Sequence, residues 1–235
     1  MTEQTVKKPQ ASNTFLELIF NILIPSLILM KLSSDEYLGT VYGLVVALMF
    51  PLVYGLYDFY KSKGLNFFSV LGFLSTLLTG GIGLFELDAE WLAIKEAAIP
   101  AVIGLVVLWS GFSHKPLLAK FLLNPAIFNL KLIYDTLAAK NLTQDFKAKI
   151  HRANHLLAST FVFSATANYV LAKLIVTSPA GTVEFNEQLG KMTMLSYPVI
   201  AIPSFVMLMA ILVYVVKTMT RLTELKLEDL FNQED

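Results

Sequence analysis

The chain has 235 residues, 55% of them hydrophobic and only 15% charged, with a mean hydropathy of +0.62. Soluble domains carry about 25% charged residues, so this composition points to a membrane protein. Eighteen basic and eighteen acidic residues cancel, which removes the case for nucleic-acid binding, and the lack of cysteine excludes disulfides, thiolate metal sites and thiol nucleophiles.

A spanning helix needs roughly 20 mainly apolar residues. Six stretches qualify in chain order: 14–31, 38–57, 66–85, 92–112, 155–175 and 193–217. The first follows Lys7 and Lys8 and so resembles a signal peptide. However, Glu17 and Asn21 interrupt its apolar run, and Lys31-Leu32-Ser33-Ser34 is a poor small-residue cleavage site. It is therefore read as an uncleaved first span. Trp91 and Trp109 bracket the fourth span, about 27 Å apart at 1.5 Å per residue, close to one hydrocarbon thickness. Indole rings favour the two membrane interfaces. The expected fold is all-α: a polytopic bundle of six transmembrane helices over residues 1–220, with amphipathic helices in the 113–152 connection and a tail over 221–235.

The direction of threading follows from the basic residues. Lys7, Lys8, Lys61, Lys63, Lys115, Lys120, Lys131, Lys140, Lys147, Lys149, Arg152, Lys217, Arg221 and Lys226 fall on one side. Only Lys31, Lys95, Lys173 and Lys191 fall on the other. The basic excess belongs in the cytoplasm, which puts both termini there. The long connection between spans four and five mixes lysines with Leu117, Leu118, Phe121, Leu122, Phe128, Leu130, Ile133, Leu137 and Phe146, and Pro125 divides it. A basic amphipathic helix of this kind rests on the anionic inner leaflet; the alternative is a docking platform for a cytoplasmic partner. The last residues, from Arg221, form a short surface helix in the same reading.

Polar groups inside the spans are costly and need partners or a task. Asn21-Ile22-Leu23-Ile24-Pro25 and Glu96-Ala97-Ala98-Ile99-Pro100 share one pattern. Proline cannot donate to the carbonyl four residues back, so Pro25 frees the Asn21 carbonyl and Pro100 that of Glu96. Each site then joins a polar side chain to an open acceptor. The two matches lie three spans apart, as an inverted three-plus-three repeat would place them, although packing kinks explain them equally well. Glu96 lies about 7.5 Å inside Trp91, with Lys173 as its expected partner and Lys95 expected to snorkel outward. Glu96, Pro100 and Gly104 share a face that should meet other helices. Asn168 is expected to bond between helices, and the small residues from Thr79 to Gly83 suit close helix approach. That glycine run lacks the lysine of a phosphate loop. His151 and His155 have helical i,i+4 spacing without the glutamate of a metalloprotease, so no metal is assigned. Asp58 is read as a stop to the second span. No catalytic arrangement and no cofactor motif is present, and no enzyme is expected.

Gly80-Gly81-Ile82-Gly83-Leu84-Phe85, Asp88, Trp91, Ile94, Lys95 and Lys115-Pro116-Leu117, with Asn168-Tyr169, Phe185 and Lys191 further on, resemble the bacterial intracellular septation protein A family over roughly residues 65–215. The chain looks closer still to a related, poorly characterised branch of inner-membrane proteins. Glu96, Pro100 and the longer connection and tail depart from septation protein A. The resemblance implies an inner-membrane protein tied to envelope synthesis or cell division through partner contacts, and it brings no catalytic residues. The expected partners are the lipid bilayer and envelope-synthesis or division proteins, with a homo-oligomer if six spans are to enclose a pathway. Two functions compete: a scaffold or accessory factor for envelope biogenesis or septation, and a small secondary transporter or lipid-handling protein with a polar site around Asn21 and Glu96.

Overall fold

The computed structural model describes residues 18–62, 67–113 and 116–232. Lys7, Lys8, Glu17, Lys63 and Lys115 lie outside them, as do the side chains of Asp58 and Lys61. The described residues are helical, with one isolated bridge between Phe128 and Phe231. In chain order the α-helices are α1 (Ile24–Lys31), α2 (Gly39–Ser62), α3 (Phe67–Leu84), α4 (Glu90–Ser110), α5 (Leu117–Leu122), α6 (Leu130–Ala139), α7 (Thr143–Ile175), α8 (Val183–Ser196), α9 (Ile202–Thr223) and α10 (Leu227–Leu230). Two π turns, Ile19–Leu23 and Tyr197–Ala201, lead into α1 and α9.

Four helical stretches are long and apolar enough to cross a membrane: Gly39–Tyr57, Glu90–Ser110, Thr143–Ile175 and the continuous Val183–Thr223. They coincide with the second, fourth, fifth and sixth apolar stretches. Ile19–Lys31 and Val70–Leu84 match the first and third but are shorter within the described residues. Val102, Leu105, Val106, Leu174, Phe205 and Val206 are each more than half exposed on these helices. Apolar surface of that extent suits lipid and not water. The elements are those of a multi-pass membrane protein.

The chain packs as two compact units: one runs to Lys95 and includes Ala172–Leu195, the other comprises Glu96–Leu171 and the residues from Ser196 on. In the first, α1 packs on α2 and α2 on α3. Glycine makes these approaches close. A Cβ on Gly83 would collide with Leu44, one on Gly80 would meet Leu48 at 3.0 Å, and one on Gly190 would meet the Ser26 carbonyl at 2.8 Å. The small residues from Thr79 to Gly83 thus do the packing expected of them. In the turn before α8, the Gln188 Oε1 accepts the backbone N–H groups of Thr177 and Ser178, both at 2.9 Å.

In the second unit the amphipathic connection departs from the expected picture. Leu118, Leu123, Ile133, Leu137, Phe146 and Ile150 bury their side chains against Ile211, Val215 and Met219 of α9. Much of the apolar face of α5 and α6 is therefore covered within the protein. The physical reason is length. α7 has 33 residues, about 50 Å, well beyond a bilayer's thickness. Its polar first third and the end of α9 supply an apolar wall that α5 and α6 can cover. Asn129 caps α6 by accepting the Leu132 N–H at 3.1 Å. Phe121 is the exception, 75% exposed.

Residues 221–232, within the stretch expected as a separate surface tail, join this core. α9 runs on to Thr223, and Glu224 ends it at φ +60° with its N–H on the Thr220 carbonyl. Leu230 is fully buried, Asn129 donates to its carbonyl at 2.9 Å, and Asn232 donates to Ile127 at 3.0 Å. Lys140 pairs with Glu224 at 2.8 Å, and its hydrogen bond and charge hold the Glu224 carboxyl below the usual glutamate value. A depressed folded-state pKa adds stability above the unfolded value that is lost as pH falls through the folded one. Because Glu224 is exposed, this acid-side contribution should be small and should vanish in high salt.

Leu137 is fully buried in this core. Leu137→Ala should cost about 2–5 kcal/mol in a denaturation experiment on the detergent-solubilised protein. Phe121→Ala should change stability by less than about 0.5 kcal/mol.

Candidate functional site

An ammonium within a span must reach water or find oxygen acceptors. Lys95 finds acceptors. It is only 9% exposed, and its Nζ donates to the Thr79 Oγ1 on α3 at 2.7 Å, with the Ser75 carbonyl at 3.5 Å. The Thr79 hydroxyl itself donates to Ser75 at 3.1 Å. Leu92 and Ala93, one turn or less away, are fully buried. Lys95 therefore shares the inward side of α4, and the expected outward snorkelling does not occur. Thr79 offers the charge a hydroxyl within the protein, so no path to the interface is needed.

Lys173 pairs with Glu90 at 3.3 Å, both side chains about half exposed. Glu90 opens α4, and Lys173 lies in the last turn of α7. Glu96 is partly buried. Asn168 also departs from expectation. Its amide nitrogen donates within its own helix, to the Ser164 carbonyl at 2.8 Å, instead of reaching another helix. Gly104 does meet another helix: a Cβ there would lie 2.8 Å from that of Phe161 on α7.

The two Xaa-Pro patterns have different backbones. Asn21 lies in the π turn before Pro25, where the Ile24 N–H reaches the Ile19 carbonyl. Pro25 is buried, and Pro100 sits inside an unbroken α4. The closer match to Pro25 is Pro203, which the sequence reading overlooked. The Ile202 N–H reaches the Tyr197 carbonyl one residue before Pro203, as Ile24 does before Pro25. A π turn moves the preceding carbonyls off the proline ring, which is how each helix absorbs its proline.

Two asparagines hold the helices more firmly than any of the expected site residues. Asn186, 1% exposed, donates to the Ser33 Oγ at 3.1 Å and to the Thr40 carbonyl at 2.8 Å, tying α8 to the turn between α1 and α2. Asn154 is fully buried on α7. It donates to the Val107 carbonyl at 2.7 Å and accepts the Leu118 N–H at 3.1 Å. One amide thus closes the end of α4 and begins α5. His151, one turn before Asn154, has its Nδ1 at 2.8 Å from the Gly111 carbonyl. A carbonyl only accepts, so Nδ1 carries the proton and Nε2 is left for another partner. The His155 Nδ1 likewise lies 2.8 Å from the His151 carbonyl. No group of three or more potential metal-ligating side chains occurs among the described residues. The signal for both asparagines was an amide within or beside an apolar run, a signal the sequence reading gave only to Asn21 and Asn168.

No protein-family model, no curated protein and no solved structure matches the chain.

Thr79→Val removes an acceptor from a buried charge and should cost about 1.5–3 kcal/mol. Asn154→Leu leaves the Leu118 N–H without its acceptor, while the Val107 carbonyl keeps the Ser110 hydroxyl and the Gly111 N–H, and should cost about 1–3 kcal/mol. Denaturant titration of the detergent-solubilised variants checks both, with Asn168→Leu expected to cost less than either.

Proposed function

We propose that the chain is a bacterial inner-membrane protein of six spans, with both termini in the cytoplasm, acting as a scaffold or accessory factor in cell-envelope biogenesis or septation. The observation that carries this reading is the second unit's core. It satisfies the apolar faces of α5, α6 and α10 within the chain, leaving Lys131, Lys149 and Arg152 exposed on a folded surface. A surface whose shape is fixed by its own core suits recognition of a protein partner better than a helix that floats on lipid. The charge asymmetry supports the cytoplasmic placement of that surface, and the septation protein A resemblance supports the envelope role. The local bonding of Asn168 and the Lys173–Glu90 pair weaken the case for a central polar pathway.

The second reading, a small secondary transporter or lipid-handling protein, draws support from the buried Lys95 and from the π turn that carries Asn21. Broken helical geometry and intramembrane charge recur at transport sites.

The test is complementation of a deletion strain in an envelope-stress assay, with membrane accumulation of each variant checked in parallel. For the scaffold, the triple variant Lys131→Glu, Lys149→Glu, Arg152→Glu loses function while Glu96→Gln keeps it. For the transporter, Glu96→Gln and Asn21→Ala lose function and the triple variant keeps it. Wild-type behaviour in every variant removes both.

A further inference from the structure

The second unit contains a half-open cleft of about 340 Å³ between α5, α6 and the start of α7. Its polar lining is one-sided. Lys120, Lys147, His151 and Tyr134 contribute to it, and no carboxylate does. Neither lysine has an ion-pair partner among the described residues. The floor is apolar, with Leu123, Phe146 and Ile150 among its residues.

Three further observations narrow the occupant. His151 is held in place by the Gly111 carbonyl, so the cleft begins one residue past the end of the α4 span. Trp109, Phe112 and Phe121, from the flanking end of α4 and from α5, are 81%, 80% and 75% exposed. Of these, the indole of Trp109 at the end of a span suits the headgroup level of a bilayer. The Tyr134 phenol is protonated at neutral pH, as an unshifted phenol already is, and so can donate a hydrogen bond into the cleft. Two ammonium groups and a phenolic O–H therefore share a cleft with an apolar floor, next in the chain to the end of the α4 span.

We propose that this cleft binds the phosphate headgroup of an anionic membrane lipid, with Lys120 and Lys147 as the charge partners, Tyr134 as a hydrogen-bond donor, and the lipid's glycerol end against Leu123 and Phe146. A soluble phosphate compound shares the charge chemistry but not the apolar floor. Lys131, Lys149 and Arg152 do not line this cleft, and the proposal does not depend on the scaffold reading.

The test is native mass spectrometry of the full-length protein from detergent, with phosphatidylglycerol and phosphatidylcholine of matched acyl chains as probes. Wild type should bind phosphatidylglycerol in preference to phosphatidylcholine. The double variant Lys120→Ala, Lys147→Ala should weaken phosphatidylglycerol binding about 25-fold, at about fivefold for each lysine. The Lys120→Arg, Lys147→Arg pair should retain binding, and so should the control pair Lys131→Ala, Lys149→Ala. The proposal is overturned if wild type shows no headgroup preference or if the double alanine variant binds as wild type does. It is equally overturned if the control pair loses as much affinity, or if millimolar inorganic phosphate displaces the lipid.

Discussion

Hydrocarbon offers no partner to a peptide N–H or C=O, and each such group left bare there costs several kcal/mol. The long apolar elements of this chain are therefore helices, which satisfy their backbone internally. The same constraint governs the side chains they carry. Thr76, Thr79, Thr160 and Thr193 each turn a hydroxyl back to the carbonyl four residues earlier, and Asn168 does the same with its amide. These groups are satisfied without any neighbour. Lys95, Asn154 and Asn186 instead reach across to other elements, so they hold helices together, although the Asn186 Oδ1 stays buried without a partner.

Where the chain leaves the apolar regime, water restores an ordinary hydrophobic core. α7 is long enough to carry its first turns past the bilayer, and α9 ends in the same unit. Their surplus length becomes the wall on which α5, α6 and α10 close. Phe128 stacks on Phe231 at 5.1 Å, which ties the amphipathic connection to the last described residues. Two segments that look separate in sequence are one packed body.

Much of this was legible beforehand. Apolar length located the spans, because a helix that crosses lipid must be long and greasy whatever its neighbours are. Charge and periodicity located α5 and α6. What the sequence left open was direction around each helix axis. Lys95 looked able to snorkel because composition does not reveal that Thr79 faces it. Depth alone did not single out Glu90 as a partner for Lys173. The π turns were hidden because backbone slippage ahead of a proline depends on tertiary packing, as the unbroken helix around Pro100 shows. Asn154 and Asn186 were missed because each lies beside charged residues, where an amide looks ordinary.

The threading direction rests on charge asymmetry, and it decides which compartment meets the packed surface of the second unit. The native chain has no cysteine, so a single introduced thiol reports without background. Glu36→Cys and Lys131→Cys both place that thiol at an exposed position. A membrane-impermeant maleimide applied to spheroplasts should label the thiol at position 36 at once and the thiol at 131 only after the membrane is opened. Labelling at 131 in sealed spheroplasts, with 36 protected, would contradict the assignment of both faces.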